Sequence, residues 1–95
     1  MSRRILRQIR NALHAGNYDM TYHGVEEMAE DWLGIGDVEH AILTGSITKT
    51  EVGDPRGTKY TIVGLAEDGS TKVGIVGRFK ETRTFLIITI YEVTE

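Results

Sequence analysis

At 95 residues, 40% hydrophobic and 26% charged, the chain has the composition of one ordinary globular domain, spanning 1–95. The absence of cysteine excludes disulfides and thiol chemistry. His14, His23 and His40 lack metal-ligand spacing, no cofactor motif is present, and no apolar run is long enough to span a membrane. The net charge of -3 argues against bulk nucleic-acid binding, although it is unevenly spread. Arg3, Arg4, Arg7 and Arg10 precede any acid, Asp19 to Glu39 holds seven acids and no Lys or Arg, and seven bases balance seven acids from Ser46 onward. Without the apolar stretch of a signal peptide, the start of the chain leads us to expect a cytoplasmic location.

The first predicted helix runs from about Arg3 to Ala15. Ile5, Leu6, Ile9, Ala12 and Leu13 form its apolar stripe, with the arginines opposite. Gly16 and Asn17 supply residues that tolerate the left-handed conformation at its end. The arginine face reads as solvated surface in preference to a phosphate-binding patch.

Thr21 is a good N-cap for a second helix, flanked by Met20 and Val25 as a hydrophobic staple. Val25, Met28, Ala29, Trp32 and Leu33 follow at helical spacing, which predicts a core stripe with Glu26, Glu27, Glu30 and Asp31 outside. Gly34-Ile35-Gly36 breaks the helix. A third begins at Asp37, with Val38, Ala41 and Ile42 inward and His40 exposed, and ends at Gly45.

Beyond Gly45 the apolar period falls from 3.6 to 2. Strands are expected at about Ile47–Val52, Lys59–Leu65, Lys72–Phe79 and Thr84–Val93. Asp54-Pro55-Arg56-Gly57 has the form of a type I turn and Asp68-Gly69 that of a hairpin. The fold class is therefore α+β, with N-terminal helices packed on one face of a four-stranded antiparallel sheet. Leu86, Ile88 and Ile90 are expected to face the core. Phe85, Ile87, Thr89 and Tyr91 form the opposite, mixed face. Gly64, Gly74 and Gly77 point to a bulge or a close approach.

No phosphate-cradling loop and no recognisable catalytic triad are present. What remains is a loose set: His23, Tyr60, Lys72, Arg78, Thr89 and Tyr91. At the start of a helix, where free N–H groups disfavour an imidazolium, His23 should be neutral. It reads either as a proton acceptor or as a histidine bonded to the sheet or the following loop. Tyr60 and Tyr91 suit cross-strand packing as well as chemistry. Arg78 can grip an anion bidentately, or pair with Glu92 or another neighbouring acid.

Thr21-Tyr22-His23-Gly24, Met28, the Gly-Ile-x-Asp-Val-x-x-Ala-Ile-x-x-Gly run ending at Gly45, Asp54-x-x-Gly57-x-x-Tyr60 and Leu86-Ile87-Ile88-Thr89-Ile90-Tyr91 together resemble a bacterial family of small domains of unknown function. That family is described as related to RelE/ParE and BrnT/MqsR-like toxins, and the match runs from about Tyr18 to Tyr91. The resemblance implies a RelE-like fold and a type II toxin that cleaves RNA by in-line attack of a ribose 2′-hydroxyl, restrained by a small antitoxin protein. His23, Arg78 and Tyr91 would then be catalytic, and Lys72, Tyr60 and Thr89 would bind the RNA. Cationic residues on the sheet, extended by the arginine stripe of the first helix, would stabilise the phosphate. The chain departs from the family at Gly24, where alanine is usual, and at Glu27 and Asp31, where arginine is usual. A carboxylate 4 Å from a phosphate costs about 1 kcal/mol in water. Two other readings stand beside the toxin: a non-catalytic protein-binding module of the same fold, and a small metabolic or ligand-binding protein.

Overall fold

The computed structural model describes residues 2–94. Three helices, α1 (Ser2–His14), α2 (Tyr22–Glu30) and α3 (Ile35–Thr44), accompany five strands, β1 (Tyr18–Met20), β2 (Ser46–Glu51), β3 (Lys59–Leu65), β4 (Lys72–Phe79) and β5 (Phe85–Glu92). The order across the sheet is β1-β5-β4-β3-β2. Strands β2 to β5 form the expected antiparallel meander. The expected four-stranded antiparallel sheet is nevertheless incomplete, because β1 adds a fifth strand, parallel to β5. Three residues between a helix end and an N-cap are too short to show a period of 2, so this strand is invisible in sequence.

The core lies between one sheet face and the α1/α3 layer. Leu6, Ile9, Ala12 and Leu13 of α1 and Val38, Ala41 and Ile42 of α3 are buried there with Ile62, Val73, Ile75, Phe85, Ile87 and Ile90. Glycine lets α3 close on the sheet: a Cβ at Gly64 would collide with the Ala41 backbone. Thr44 Oγ1 accepts from the Leu65 N–H at 3.0 Å. His40, expected to be exposed, is half-buried with Nδ1 2.8 Å from the Leu65 carbonyl. Arg10 leaves the solvated stripe and donates to the Ile42 and Gly45 carbonyls at 3.0 and 2.9 Å. It thereby satisfies acceptors that the end of α3 leaves open. Both turn motifs form as the sequence indicates. Gly57 N–H donates to the Asp54 carbonyl at 3.0 Å. Asp68 accepts from the backbone of Ser70 and Thr71 and from the Thr71 hydroxyl. That hydroxyl, with the backbone donors, holds the Asp68 carboxyl down at about 2.

A bulge divides β5 and corrects its expected facing. Val76 pairs with Thr89 but Gly77 pairs with Ile87, which leaves Ile88 without a partner on β4. An extra residue shifts the alternation by one. Phe85 and Ile87 therefore face the core before the bulge and Ile90 after it, while Leu86 and Ile88 are only half-buried. Thr89 and Tyr91 point to the other side, as expected.

Helix α2 departs furthest from expectation. Thr21 is its N-cap, accepting from Gly24 N–H at 3.0 Å while its hydroxyl donates to the Ile88 carbonyl at 3.1 Å. The helix then runs along the edge of β5 instead of over the sheet. Beyond β1, no strand among the described residues receives the N–H groups of that edge. Glu27 Oε1 accepts from Ile90 N–H and Asp31 Oδ2 from Glu92 N–H, both at 2.9 Å. The geometry suits this arrangement, since four helical residues rise about 6 Å and two strand residues advance about 6.6 Å. Turning Glu27 and Asp31 inward turns Val25 outward. Met28 and Leu33 still pack on the core, but Val25 is 43% exposed and Trp32, expected in the core, is 94% exposed.

Candidate functional site

No helix among the described residues covers the second sheet face. The β-strand registers place Lys49, Thr61, Val76 and Thr89 in one row across it, with Val63, Gly74 and Tyr91 in the next. Its small residues have packing reasons. A Cβ at Gly74 would enter the Tyr91 ring, so that ring lies across the strand and shields its backbone.

Four of the six expected site residues share this face: Lys72, Arg78, Thr89 and Tyr91. They are spread along it: Arg78 lies opposite Leu86, Thr89 opposite Val76 and Tyr91 opposite Gly74 in the next row, with Lys72 beyond. Lys72 and Arg78 are six residue steps apart on β4, roughly 20 Å. Arg78 Nη1 donates to the Arg56 carbonyl at 3.2 Å, not to Glu92 or another acid among the described residues. Around that end lie Lys49, Arg56, Lys59 and Lys80, balanced in part by Glu51, Asp54 and Asp19. Asp54 pairs with Arg56 at 3.3 Å and Asp19 with Lys80 at 3.4 Å, and the Arg56 guanidinium holds the Asp54 carboxyl below its usual range.

The remaining two residues lie elsewhere. Tyr60 faces the helical layer and packs on the core, opposite Gly77 and Thr50. His23 is exposed; its Nε2 is 3.3 Å from Glu27 Oε2, one helical turn on. Among the described residues the expected bond from His23 to the sheet or following loop is absent, and Glu27 makes the sheet contact instead. The arginine stripe of α1 cannot extend the cationic surface, because α1 packs on the opposite side of the sheet. A shallow cleft of about 590 Å³ opens beside Gln8, Asn11, Asn17, Phe79 and Arg83, away from all six residues. Among the described residues no group of three or more His, Asp or Glu is placed to hold a metal ion, and no helix is long and apolar enough to cross a membrane.

Two features away from this face were not legible in the residues alone. One is a short bond, 2.6 Å, from the Tyr18 hydroxyl to Glu39 Oε2; burial, assisted by that carboxylate, pushes the phenol up to about 12. The other is an apolar surface on the outer side of α2, where Tyr22 is 80% exposed, Val25 follows one turn on and Trp32 stands exposed past the helix's far end. The only sequence signal for the latter is an aromatic residue two positions before Gly34, where a helix is about to stop.

No curated protein and no solved structure shows significant similarity to this chain. The family model "Domain of unknown function (DUF4258)" matches residues 20–92. That span covers α2, α3 and strands β2 to β5 and leaves α1 outside, and over it the chain belongs to the DUF4258 family of domains of unknown function.

Proposed function

We propose that this domain works as a non-catalytic protein-binding module. The observation that carries this reading is the dispersal of the groups that chemistry would need. Arg78 and Lys72 lie at opposite ends of the open face with Thr89 and Tyr91 in neighbouring rows between them, Tyr60 lies beneath the sheet, and His23 is tied to Glu27 on α2. General acid–base catalysis requires groups within hydrogen-bond reach of a shared reacting centre. Large exposed apolar side chains at Tyr22, Trp32 and Val52 suit association instead. Glu27 and Asp31, which replace the family's usual arginines, serve the fold by receiving strand N–H groups.

The RNA-cleaving toxin with a RelE-like fold, held by a small antitoxin protein, is the second reading. It is favoured by the neighbouring Arg78 and Thr89 on an uncovered face, with Arg56, Lys59 and Lys80 around them. Expression in a bacterial host, paired with incubation of the purified chain with labelled RNA, separates the two. The module should leave both growth and RNA intact. Growth arrest abolished by Arg78→Ala and partly regained by Arg78→Lys would overturn it in favour of the toxin.

A further inference from the structure

Helix α2 ends in a hydrogen-bond pattern that normally belongs to glycine. Leu33 N–H donates to the Met28 carbonyl at 2.9 Å and Trp32 N–H to the Ala29 carbonyl at 3.1 Å. This is the paired bonding of a Schellman end, whose left-handed residue is usually Gly. Here that residue is Trp32, with φ of 58°. A bulky residue in this region is sterically disfavoured. Its indole, 94% exposed, returns almost no burial within the fold. Strain of this kind, held without internal benefit, points to a role outside the chain.

The surroundings define what that role could be. Tyr22, Val25 and Ala29 lie on the outward side of α2, opposite Gly24, Met28 and the strand-bound carboxylates. Glu26 and Glu30 flank them, both exposed, and no Lys or Arg occurs between Asp19 and Glu39. Such a surface repels RNA phosphates and anionic lipid headgroups. Two copies meeting through α2 would set Glu26 and Glu30 against their counterparts, so a symmetric pair is disfavoured too.

We infer that the outer side of α2, centred on Trp32, docks a basic amphipathic segment of another protein. This rests on the binding-module reading and gives that module its site and its partner's chemistry. Arginine on the partner would stack on the indole and pair with Glu26 and Glu30, while its apolar side covers Val25 and Tyr22. Aromatic anchors in such surfaces commonly dominate the binding energy.

A short synthetic amphipathic helix of Leu, Ala and Arg, fluorescein-labelled, serves as the probe, with a version carrying Glu for Arg as its counterpart. Trp32 is the sole tryptophan, so its emission reports directly on the site. The Arg peptide should bind saturably with a blue shift of that emission and move the amide resonances of residues 22–32. The Glu peptide should not bind. Measured by anisotropy, Trp32→Gly should weaken the complex about tenfold or more while raising the melting temperature of the free chain. A merely structural Trp32 would not give that pair of effects. Glu26→Lys with Glu30→Lys should abolish binding with the circular dichroism unchanged. Equal binding of both peptides, or binding of neither, would overturn the inference. Amide shifts confined to the rows of Thr61, Val76 and Thr89 would overturn the site and leave the module standing. Self-association of the chain that vanishes in Trp32→Gly would give the surface to a second copy instead. RNA cleavage would overturn the module reading itself.

Discussion

Helices α1 and α2 end with the same backbone and opposite chemistry. At the end of α1, Asn17 N–H donates to the Ala12 carbonyl and Gly16 N–H to the Leu13 carbonyl, with Gly16 at φ of 71°. At the end of α2 the same pair of bonds surrounds Trp32. The attachments are opposite as well. Helix α1 buries an apolar stripe on the sheet face and turns its cations outward, sparing only Arg10 to cap α3. Helix α2 turns two carboxylates inward and apolar side chains outward. What a helix shows its neighbour therefore depends on what that neighbour lacks: a sheet face lacks apolar cover, whereas an edge strand lacks hydrogen-bond acceptors.

The largest effect should come from the attachment of α2. Glu27→Ala leaves the half-buried Ile90 N–H without its acceptor and should destabilise the chain by about 1–3 kcal/mol, measured by urea unfolding. Glu27→Gln keeps an acceptor oxygen and should lose less. Glu27→Arg, which sets a cation where the strand N–H needs an acceptor, should resemble Ala or be worse. A neutral Glu27→Ala would break the contrast between the two helices.

Exchanging the helix ends sharpens the comparison. No atom lies within 4 Å of a Cβ placed at Gly16, so Gly16→Ala isolates the backbone penalty, about 1 kcal/mol of destabilisation. Trp32→Gly should change stability by a similar amount in the opposite direction. Matching signs in thermal melts would show that Trp32 is held by contacts within the fold.

The smallest effect follows α1 into β1. With its phenol pushed up to about 12, Tyr18 has a folded pKa above its unfolded value of about 10. Its contribution is therefore complete below pH 10 and lost as the pH rises towards 12. The stability of the wild type relative to Tyr18→Phe should be constant from neutral pH to about 10 and then shrink. A difference that grows with alkalinity would contradict the Tyr18–Glu39 bond.

Much of this was legible locally. The amphipathic stripe of α1, the Thr21 cap, the turns at Asp54 and Asp68 and the limits of β3 and β4 depend on side chains acting within a few residues of themselves. Propensity and period record such preferences directly. The sharing of one sheet face by Lys72, Arg78, Thr89 and Tyr91 also followed from alternation alone. Their failure to meet at one point did not, because distance along a strand becomes informative only once the register is known.

Three features were decided only by the tertiary structure. The bulge at Ile88 reverses the facing of Phe85 and Ile87, since one unpaired residue shifts every side chain that precedes it on the strand. The strand β1 exists only because β5 offers an open edge beside it. The outward turn of Val25 and Trp32 exists because, farther along that edge, N–H groups need carboxylates more than the core needs another apolar stripe. A residue's own chemistry determines what it can offer, but which offer is taken depends on backbone groups brought alongside from more than sixty positions away.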